Sequence, residues 1–133
     1  MKIQQLAKHT GINSQTIRYY EQIGLLPPPQ RSANGYRSYG QSDVDLLIFI
    51  RRCKALHIPL SDMKRLVELK SDSAAPCAEV DRIISNQLEE VRHRLEELQQ
   101  LEASLKELST GCHNDTVSSC SILKKLGTSE QTD

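Results

Sequence analysis

The sequence is poor in aromatic residues, with no tryptophan, one phenylalanine and four tyrosines among 133 residues. Its core must therefore be built mainly from leucine, isoleucine and valine. No apolar run approaches 18 residues, which excludes a membrane-spanning helix. The opening residues, M-K-I-Q-Q-L-A-K, contain no continuous apolar segment and do not resemble a secretory signal. We therefore expect a cytoplasmic location, where thiols remain reduced.

Charge is divided unevenly along the chain, although the formal net charge is zero. Residues 1–70 hold 11 Lys and Arg against 5 Asp and Glu, a net charge of +6. Residues 71–133 hold 6 against 12, a net charge of −6. A basic first half suits a polyanionic partner, and nucleic acid is the commonest one. The acidic second half suits a solvent-exposed helix that does not touch nucleic acid.

Glycine and proline are missing from residues 78–109, and this stretch predicts one uninterrupted helix. Ile84 begins an apolar spacing of four and three residues that is typical of a coiled coil with one local phase slip. We call these residues the apolar stripe: Ile84, Leu88, Val91, Leu95, Leu98, Leu101, Leu105 and Leu108. Charged residues occupy the other faces, so a second helix is the expected partner of the stripe.

Cysteines stand at both ends of this helix, Cys77 before it and Cys112 and Cys120 after it. In a reducing compartment they favour metal or redox chemistry over structural disulfides. A 32-residue helix is roughly 48 Å long, so Cys77 cannot meet Cys112 of the same chain while the helix is intact. Two antiparallel helices bring them together. We expect a homodimer with two sites, each sharing thiolates across the interface.

The first 70 residues predict two short helices, over 3–9 and 14–23, joined by a turn that contains Gly11. Asn13 or Ser14 can cap the second helix. Helix, glycine turn and helix together form a helix-turn-helix pattern. Asn34-Gly35 then predicts a hairpin with a type I′ turn. We call residues 31–39 the wing, because Arg31, Tyr36, Arg37 and Tyr39 can hydrogen-bond phosphate oxygens there.

Two further helices follow, over 42–57 and from a cap at Ser61 to residue 70. Cys53 lies on the apolar side of the first of these, and we expect it in the core. The predicted organisation is a DNA-binding domain over 1–70, a linker over 71–77 and a dimerisation helix over 78–109. A metal-binding loop with a short helix occupies 110–126, and residues 127–133 form a disordered tail.

Four segments resemble the MerR family of transcriptional regulators: T-I-R-Y-Y-E (16–21), G-L-L-P-P-P (24–29), R-S-x-N-G-Y-R-x-Y (31–39) and F-I-R-R-C-K-A-L (49–56). The resemblance extends from residue 1 to about residue 126. It implies a mainly α protein: a winged helix-turn-helix domain, a long antiparallel dimerisation coiled coil and a short C-terminal metal-binding loop. Within the family, the chain most resembles the cadmium- and lead-responsive branch called CadR or PbrR.

The resemblance also implies which residues meet double-stranded promoter DNA. Gln15, Thr16 and Arg18 begin the recognition helix, and Lys64 opens a helix that can act as a second wing. The full expected contact set is Gln15, Thr16, Arg18, Tyr19, Tyr20, Arg31, Tyr36, Arg37, Tyr39 and Lys64. Each protomer of the homodimer reads one half-site, so the promoter site should be a pseudo-palindrome.

Cys77, Cys112 and Cys120 are the expected metal ligands, because thiolates select soft or borderline ions. By resemblance, a cysteine at position 77 implies a divalent ion, Cd(II) or Pb(II). Hg(II) and Zn(II) remain alternatives. Zinc and cadmium want a fourth donor, for which His113, Asp81, Asp115 and water are candidates. By resemblance, metal binding distorts the promoter so that RNA polymerase can engage it and transcribe heavy-metal resistance genes.

Three other classes of function have less support. A thiol-redox sensor that closes a Cys112–Cys120 disulfide gives Cys77 no role. An enzyme using Cys112 and His113 lacks a third orienting group, so we expect no enzymatic activity. A drug-binding regulator needs a folded C-terminal domain, and the residues after the coiled coil are too few to build one.

Overall fold

The computed structural model describes residues 1–109, 116–117 and 120–127, and it is mainly helical. Within these residues, six helices and one two-stranded antiparallel sheet follow in chain order. They are α1 (Ile3–Thr10), α2 (Ser14–Gln22), β1 (Gln30–Arg31), β2 (Arg37–Ser38), α3 (Gln41–Ala55), α4 (Leu60–Lys70), α5 (Ala78–Ser109) and α6 (Ser121–Leu126). None of these described helices is long and apolar enough to cross a membrane.

The predicted helix-turn-helix is confirmed in α1 and α2. Gly11 ends α1 with a φ of 73°, a left-handed conformation that an L side chain rarely adopts. Asn13 caps α2, and its side-chain oxygen accepts a hydrogen bond from the Thr16 amide at 2.8 Å. Leu6 and Ile17 are fully buried and join the two helices to the core.

The wing contains the expected hairpin but not the expected turn. Gln30 pairs with Ser38 and Arg31 with Arg37. Gly35 has a φ of 80°, but Asn34 is not among the described residues with positive φ, so a type I′ turn is wrong here. The Gly35 amide donates to the Ser32 carbonyl, and the Ser32 amide donates to the Tyr36 carbonyl. This pattern is a three-residue loop with glycine in the left-handed position.

The core of the first 87 residues lies between α1, α2, α3 and α4. Leu47 and Ile50 of α3 are fully buried, and Cys53 is buried as the sequence predicted. The N-cap of α4 is Pro59, so the prediction that Ser61 caps this helix is wrong. Proline suits the start of a helix because the missing amide hydrogen would have no partner there.

The chain separates into two compact units, residues 1–87 and 88–133. The start of α5 belongs to the first unit, where Ile83 is buried and Val80 packs against the core. Gln87 donates hydrogen bonds from its side chain to the carbonyls of Leu56 and His57, at 3.1 and 2.9 Å. The first turns of α5 are therefore anchored by both apolar contacts and hydrogen bonds.

Candidate functional site

A groove of about 410 Å³ lies on the first unit beside the wing. We call it the cationic groove. Its lining comes from the start of α1, from α2 and from the wing: Lys2, Ile3, Gln4, Arg18, Arg31, Gly35, Tyr36 and Arg37. Four of these side chains carry a positive charge and none carries a negative one. Such a groove attracts a polyanion and provides guanidinium groups that can bind phosphates in a bidentate manner.

The predicted contact residues divide by exposure. Gln15, Arg18, Tyr19, Arg31 and Tyr36 are exposed, and Thr16, Arg37 and Lys64 are half-buried. Tyr20 and Tyr39 are buried, with only 5 % and 4 % of their surfaces exposed. The burial of these two tyrosines favours a packing role over the phosphate contact that the sequence suggested.

Tyr39 is held by hydrogen bonds at both ends of the residue. Its hydroxyl donates to the Glu21 carboxylate at 2.5 Å. Its backbone amide donates to the Met1 carbonyl at 2.8 Å, and its own carbonyl accepts from the amino group of Met1 at 2.6 Å. Burial, followed by the bond to Glu21, raises the pKa of Tyr39 to about 12. The phenol therefore remains a neutral donor at any physiological pH.

The arginines of the wing have defined partners inside the protein. Arg31 donates from Nη1 to the Gly35 carbonyl at 2.9 Å, which closes the tip of the hairpin. Arg37 lies with Nη1 3.6 Å from Oε2 of Glu21, and 38 % of its side chain remains exposed. Both guanidinium groups are thus oriented while they keep donors free for a ligand in the groove.

Arg65, beside Lys64 on α4, is already paired. It forms an ion pair with Glu79 on α5, and its Nη1 donates to Glu68 at 2.9 Å. The bond to Glu79 and then that to Glu68 raise the pKa of Arg65 further above its ordinary value. The same bond lowers the pKa of Glu79. This pairing leaves Lys64 as the better candidate for a flanking phosphate contact.

The thiols occupy distinct environments. Cys77 is exposed just before α5, and its carbonyl accepts from the Asp81 amide at 3.0 Å in the first helical turn. Cys53 is buried, and burial raises the pKa of its thiol. Cys120 is half-buried, and its backbone begins α6. Cys112, His113 and Asp115 lie outside the described residues.

Metal-binding groups do not converge within the described part of one chain, where no three Cys, His, Asp or Glu side chains come together. The described donors nevertheless include the right chemistry, since thiol sulfur suits soft divalent ions. Cys77, with its exposed side chain, is accessible to a second protein chain. The predicted ligand set of Cys77, Cys112 and Cys120 remains a prediction.

The apolar stripe of α5 faces solvent in the single chain. Seven of its side chains, from Ile84 to Leu105, are between 41 % and 60 % exposed. Its charged neighbours form ion pairs along the other faces, among them Arg92 with Glu89 and Arg94 with Glu90. An exposed apolar row of this length on a 32-residue helix is typical of an interaction surface.

Glu21 and Gln87 link segments that are far apart in the chain, and neither contact was predicted from the sequence. Glu21 ends the quoted T-I-R-Y-Y-E segment and joins α2 to the wing. The available signal was a carboxylate in the basic first half of the chain, where cationic side chains outnumber anionic ones. Gln87 holds the turn after α3. Nothing in its sequence context distinguishes it from other glutamines of α5.

Two protein-family models match the chain. One, described as MerR HTH family regulatory protein, matches residues 1–70, and the other, described as MerR, DNA binding, matches residues 44–108. The mercuric resistance operon regulatory protein of Bacillus cereus is 34 % identical over 126 residues, which are 94 % of this chain and 96 % of that protein.

Solved structures of MerR-type regulators are also similar to this chain. The transcription regulator PbrR691 from Ralstonia metallidurans CH34, in complex with lead(II), has a TM-score of 0.86 at 36 % identity, covering 95 % of this chain and 98 % of that one. HiNmlR, a MerR family regulator lacking the sensor domain and bound to promoter DNA, has a TM-score of 0.60 at 25 % identity. That match covers 84 % of each chain.

Proposed function

The chain belongs to the MerR family of transcriptional regulators and is a metal-responsive member of it, and we propose that its effector is a divalent soft metal ion, Cd(II) or Pb(II). The homodimer binds a pseudo-palindromic promoter and activates heavy-metal resistance genes when the ion binds. The observation that carries this proposal is the similarity to the lead(II)-bound regulator along 95 % of the chain.

The cationic groove supports promoter DNA as the partner. Arg18 extends from α2, the recognition helix, while Arg31 and Arg37 extend from the wing into the same groove. Phosphate contacts from the wing position the protein, whereas residues that begin a recognition helix reach base edges. We assign Gln15, Thr16 and Arg18 to base or adjacent phosphate contacts. Arg31, Tyr36 and Arg37 are assigned to phosphates.

The apolar stripe supports a homodimer. A second copy of α5 is a partner with an identical stripe, and antiparallel packing covers both stripes at once. Antiparallel packing also places the start of one α5 beside the end of the other. In that arrangement Cys77 of one protomer joins Cys112 and Cys120 of its partner, and the dimer contains two equivalent sites.

Three thiolates would supply the metal chemistry. They are soft donors, they must lose protons to bind, and metal affinity should therefore rise with pH. Three sulfurs alone suit lead, whereas cadmium prefers a further donor such as water, His113 or a carboxylate. The mercuric relative from Bacillus cereus favours Hg(II) as the second candidate effector.

The proposed output is a change in promoter shape. The dimer has two conformations on DNA, and the ion favours the one whose metal site it fits better. That conformation bends and untwists the promoter so that RNA polymerase can engage both promoter elements. A regulator of this kind acts where its DNA is transcribed, which for this chain we take to be the cytoplasm.

A competitive metal titration of the reduced dimer tests the effector, read by thiolate-to-metal absorption bands. We expect Pb(II) and Cd(II) to bind more tightly than Zn(II), at two ions per dimer. Cys77→Ser should abolish metal-induced transcription while leaving promoter affinity unchanged. Cys53→Ala is the matched control, because it removes a thiol that is buried in the core.

Three outcomes would contradict the proposal. Tightest binding of Hg(II) with selective induction by mercury would establish the second candidate. Induction by oxidant without metal would establish the redox sensor. Normal induction with Cys77→Ser would remove Cys77 from the ligand set.

A further inference from the structure

Glu21 is a carboxylate at the edge of a positively charged surface. It lies in the last turn of α2, three residues after Arg18, and its side chain is only 8 % exposed. A negative charge close to DNA opposes phosphate and weakens binding. A residue of this charge in this place therefore needs a compensating role.

The two described side-chain contacts of Glu21 lead to one short segment of chain. One carboxylate oxygen, Oε1, accepts from the Tyr39 hydroxyl at 2.5 Å. The other, Oε2, lies 3.6 Å from Nη1 of Arg37. Arg37 begins β2 and Tyr39 follows it directly, so one side chain joins the recognition helix to the second strand of the wing.

The contacts of Glu21 with Arg37 and Tyr39 lie close to the expected DNA contacts. Arg18 and Arg37 both line the cationic groove. Burial raises the pKa of Tyr39, which favours the protonated phenol that donates to Glu21. The partly buried pair of Glu21 and Arg37 is also screened by salt less than a surface pair.

We propose that Glu21 is a positioning residue that sets the wing, and with it the guanidinium of Arg37, at a fixed distance from the recognition helix. This inference rests on the proposed DNA-binding function. A wing held at a fixed distance places its phosphate contacts so that Arg18 and its neighbours on the recognition helix reach base edges in one register. The phosphate contacts set this register, and the base contacts read the sequence. Glu21 reduces binding to DNA in general and improves binding to the correct sequence.

The positioning role predicts opposite changes in affinity for random and promoter DNA, which loss of folding would not produce. Glu21→Gln keeps the size of the side chain and an acceptor for Tyr39, but it removes the charge that orients Arg37. Affinity for random DNA should rise a few-fold, because one repulsive charge is gone. Affinity for the promoter sequence should fall about tenfold, the effect of losing one well-placed contact. The specificity ratio, which is the affinity for the promoter sequence divided by that for random DNA, therefore decreases because its numerator falls and its denominator rises.

The experiment uses the full-length dimer without metal and two fluorescent duplexes. One is a promoter duplex selected by the wild-type chain from random-sequence DNA, and the other is a scrambled duplex of equal length and composition. Binding is measured by anisotropy at several salt concentrations. Asp45→Asn is the matched control, since Asp45 is an exposed carboxylate on α3 whose described partner is Gln41. It should leave the specificity ratio unchanged.

A second pair of variants tests the route through Arg37. Arg37→Ala should weaken binding to both duplexes and lower the salt slope by about one unit. In the Arg37→Ala background, Glu21→Gln should no longer reduce the specificity ratio. If Glu21→Gln does not fold, Tyr39→Phe replaces it, because this variant removes the 2.5 Å bond and leaves both charges. It should reduce the ratio by a smaller factor.

The outcomes distinguish the assigned DNA interface from the positioning role of Glu21. If Arg18→Ala and Arg37→Ala leave binding to both duplexes unchanged, the assigned DNA interface is wrong. If they weaken binding, but Glu21→Gln changes affinity for both duplexes by the same factor, the interface stands and the positioning role is overturned. The positioning role would also be overturned if Glu21→Gln reduced the specificity ratio equally in the wild-type and Arg37→Ala backgrounds.

Discussion

The two units of this chain use the same apolar side chains in opposite ways. In residues 1–87, leucines such as Leu6, Leu26 and Leu47 are fully buried. In the second unit, the leucines of the apolar stripe from Leu88 to Leu105 are about half exposed. Burying a leucine contributes about 1.5–3 kcal/mol relative to leaving it in water. The first unit obtains this stabilisation within one chain, whereas the second obtains it only from a partner.

The two units also differ in how their charged side chains are arranged. The first unit presents four cations in one groove, and its described carboxylate next to that groove, Glu21, is nearly buried. The outer faces of α5 carry mixed charges in pairs one helical turn apart, such as Arg92 with Glu89. Paired charges keep an exposed helix in water without attracting a polyanion. One unit is thus built to bind DNA and the other to bind a second copy of itself.

The largest effect should come from a charge placed in the apolar stripe. Leu95→Asp removes an apolar side chain from both helices of the dimer and buries two carboxylates in its place. The loss is about 3–6 kcal/mol per dimer, so the dissociation constant should rise at least 100-fold. Analytical ultracentrifugation measures this constant, and circular dichroism should show the first unit still folded.

The matched control is Gln100→Asp, which introduces the same charge on the side of α5 away from the stripe. It should leave dimerisation unchanged. A wild-type chain that sediments as a monomer, or a Leu95→Asp variant that dimerises normally, would contradict the pairing of the stripes.

A smaller effect is expected from a cavity in the first unit. Leu47→Ala empties a fully buried position and should lower the free energy of unfolding by about 2–5 kcal/mol. The dimer dissociation constant of the folded protein should not change, because Leu47 lies in the core rather than on the stripe. Urea unfolding gives the first quantity and ultracentrifugation the second. Weaker dimerisation of folded Leu47→Ala would show that the two units are not separable.

The smallest effect, and the only stabilising one, is expected at the turn after α3. His57 is the one described non-glycine residue with positive φ, at 59°. The Ile58 amide donates to the Cys53 carbonyl and the His57 amide to that of Lys54, which is a Schellman motif with histidine in the glycine position. His57→Gly should stabilise the protein by about 0.5–1 kcal/mol, since relieved strain exceeds the added chain entropy.

Ala55→Gly is the control for that substitution. It adds the same flexibility at the last residue of α3, where the backbone is helical, and should destabilise the protein by up to about 1 kcal/mol. Thermal unfolding of both variants measures the difference. A destabilising His57→Gly would mean that the imidazole makes contacts worth more than the strain.

Local chemistry made several features predictable from sequence. The cap at Asn13, the ends of α5 and the periodic stripe depend on residues close together in the chain, and the structure agrees with each. Burial of Cys53 followed from its position on an apolar helix face. The turn at Asn34-Gly35 was predicted with the wrong geometry, because a two-residue and a three-residue loop share this dipeptide and differ in strand pairing.

The roles of Tyr39 and Glu21 could not be read from the sequence. A tyrosine among arginines is compatible with a phosphate contact or with packing, and only the approach of α2 to β2 selects between them. Glu21 and Tyr39 are 18 residues apart, and their contact depends on how the helix-turn-helix meets the wing. The linkage of Gln87 to the turn after α3 spans 30 residues or more and is equally invisible in the sequence.

By itself the sequence determined the helices, the exposed stripe, the division of charge and the family. Each of these depends on residue types at short or periodic spacing along the chain. The tertiary structure decided which side chains are buried, which arginines share a groove, and which carboxylate joins the recognition helix to the wing. These depend on distances between segments that are far apart in the chain, and such distances are set only when the core has packed.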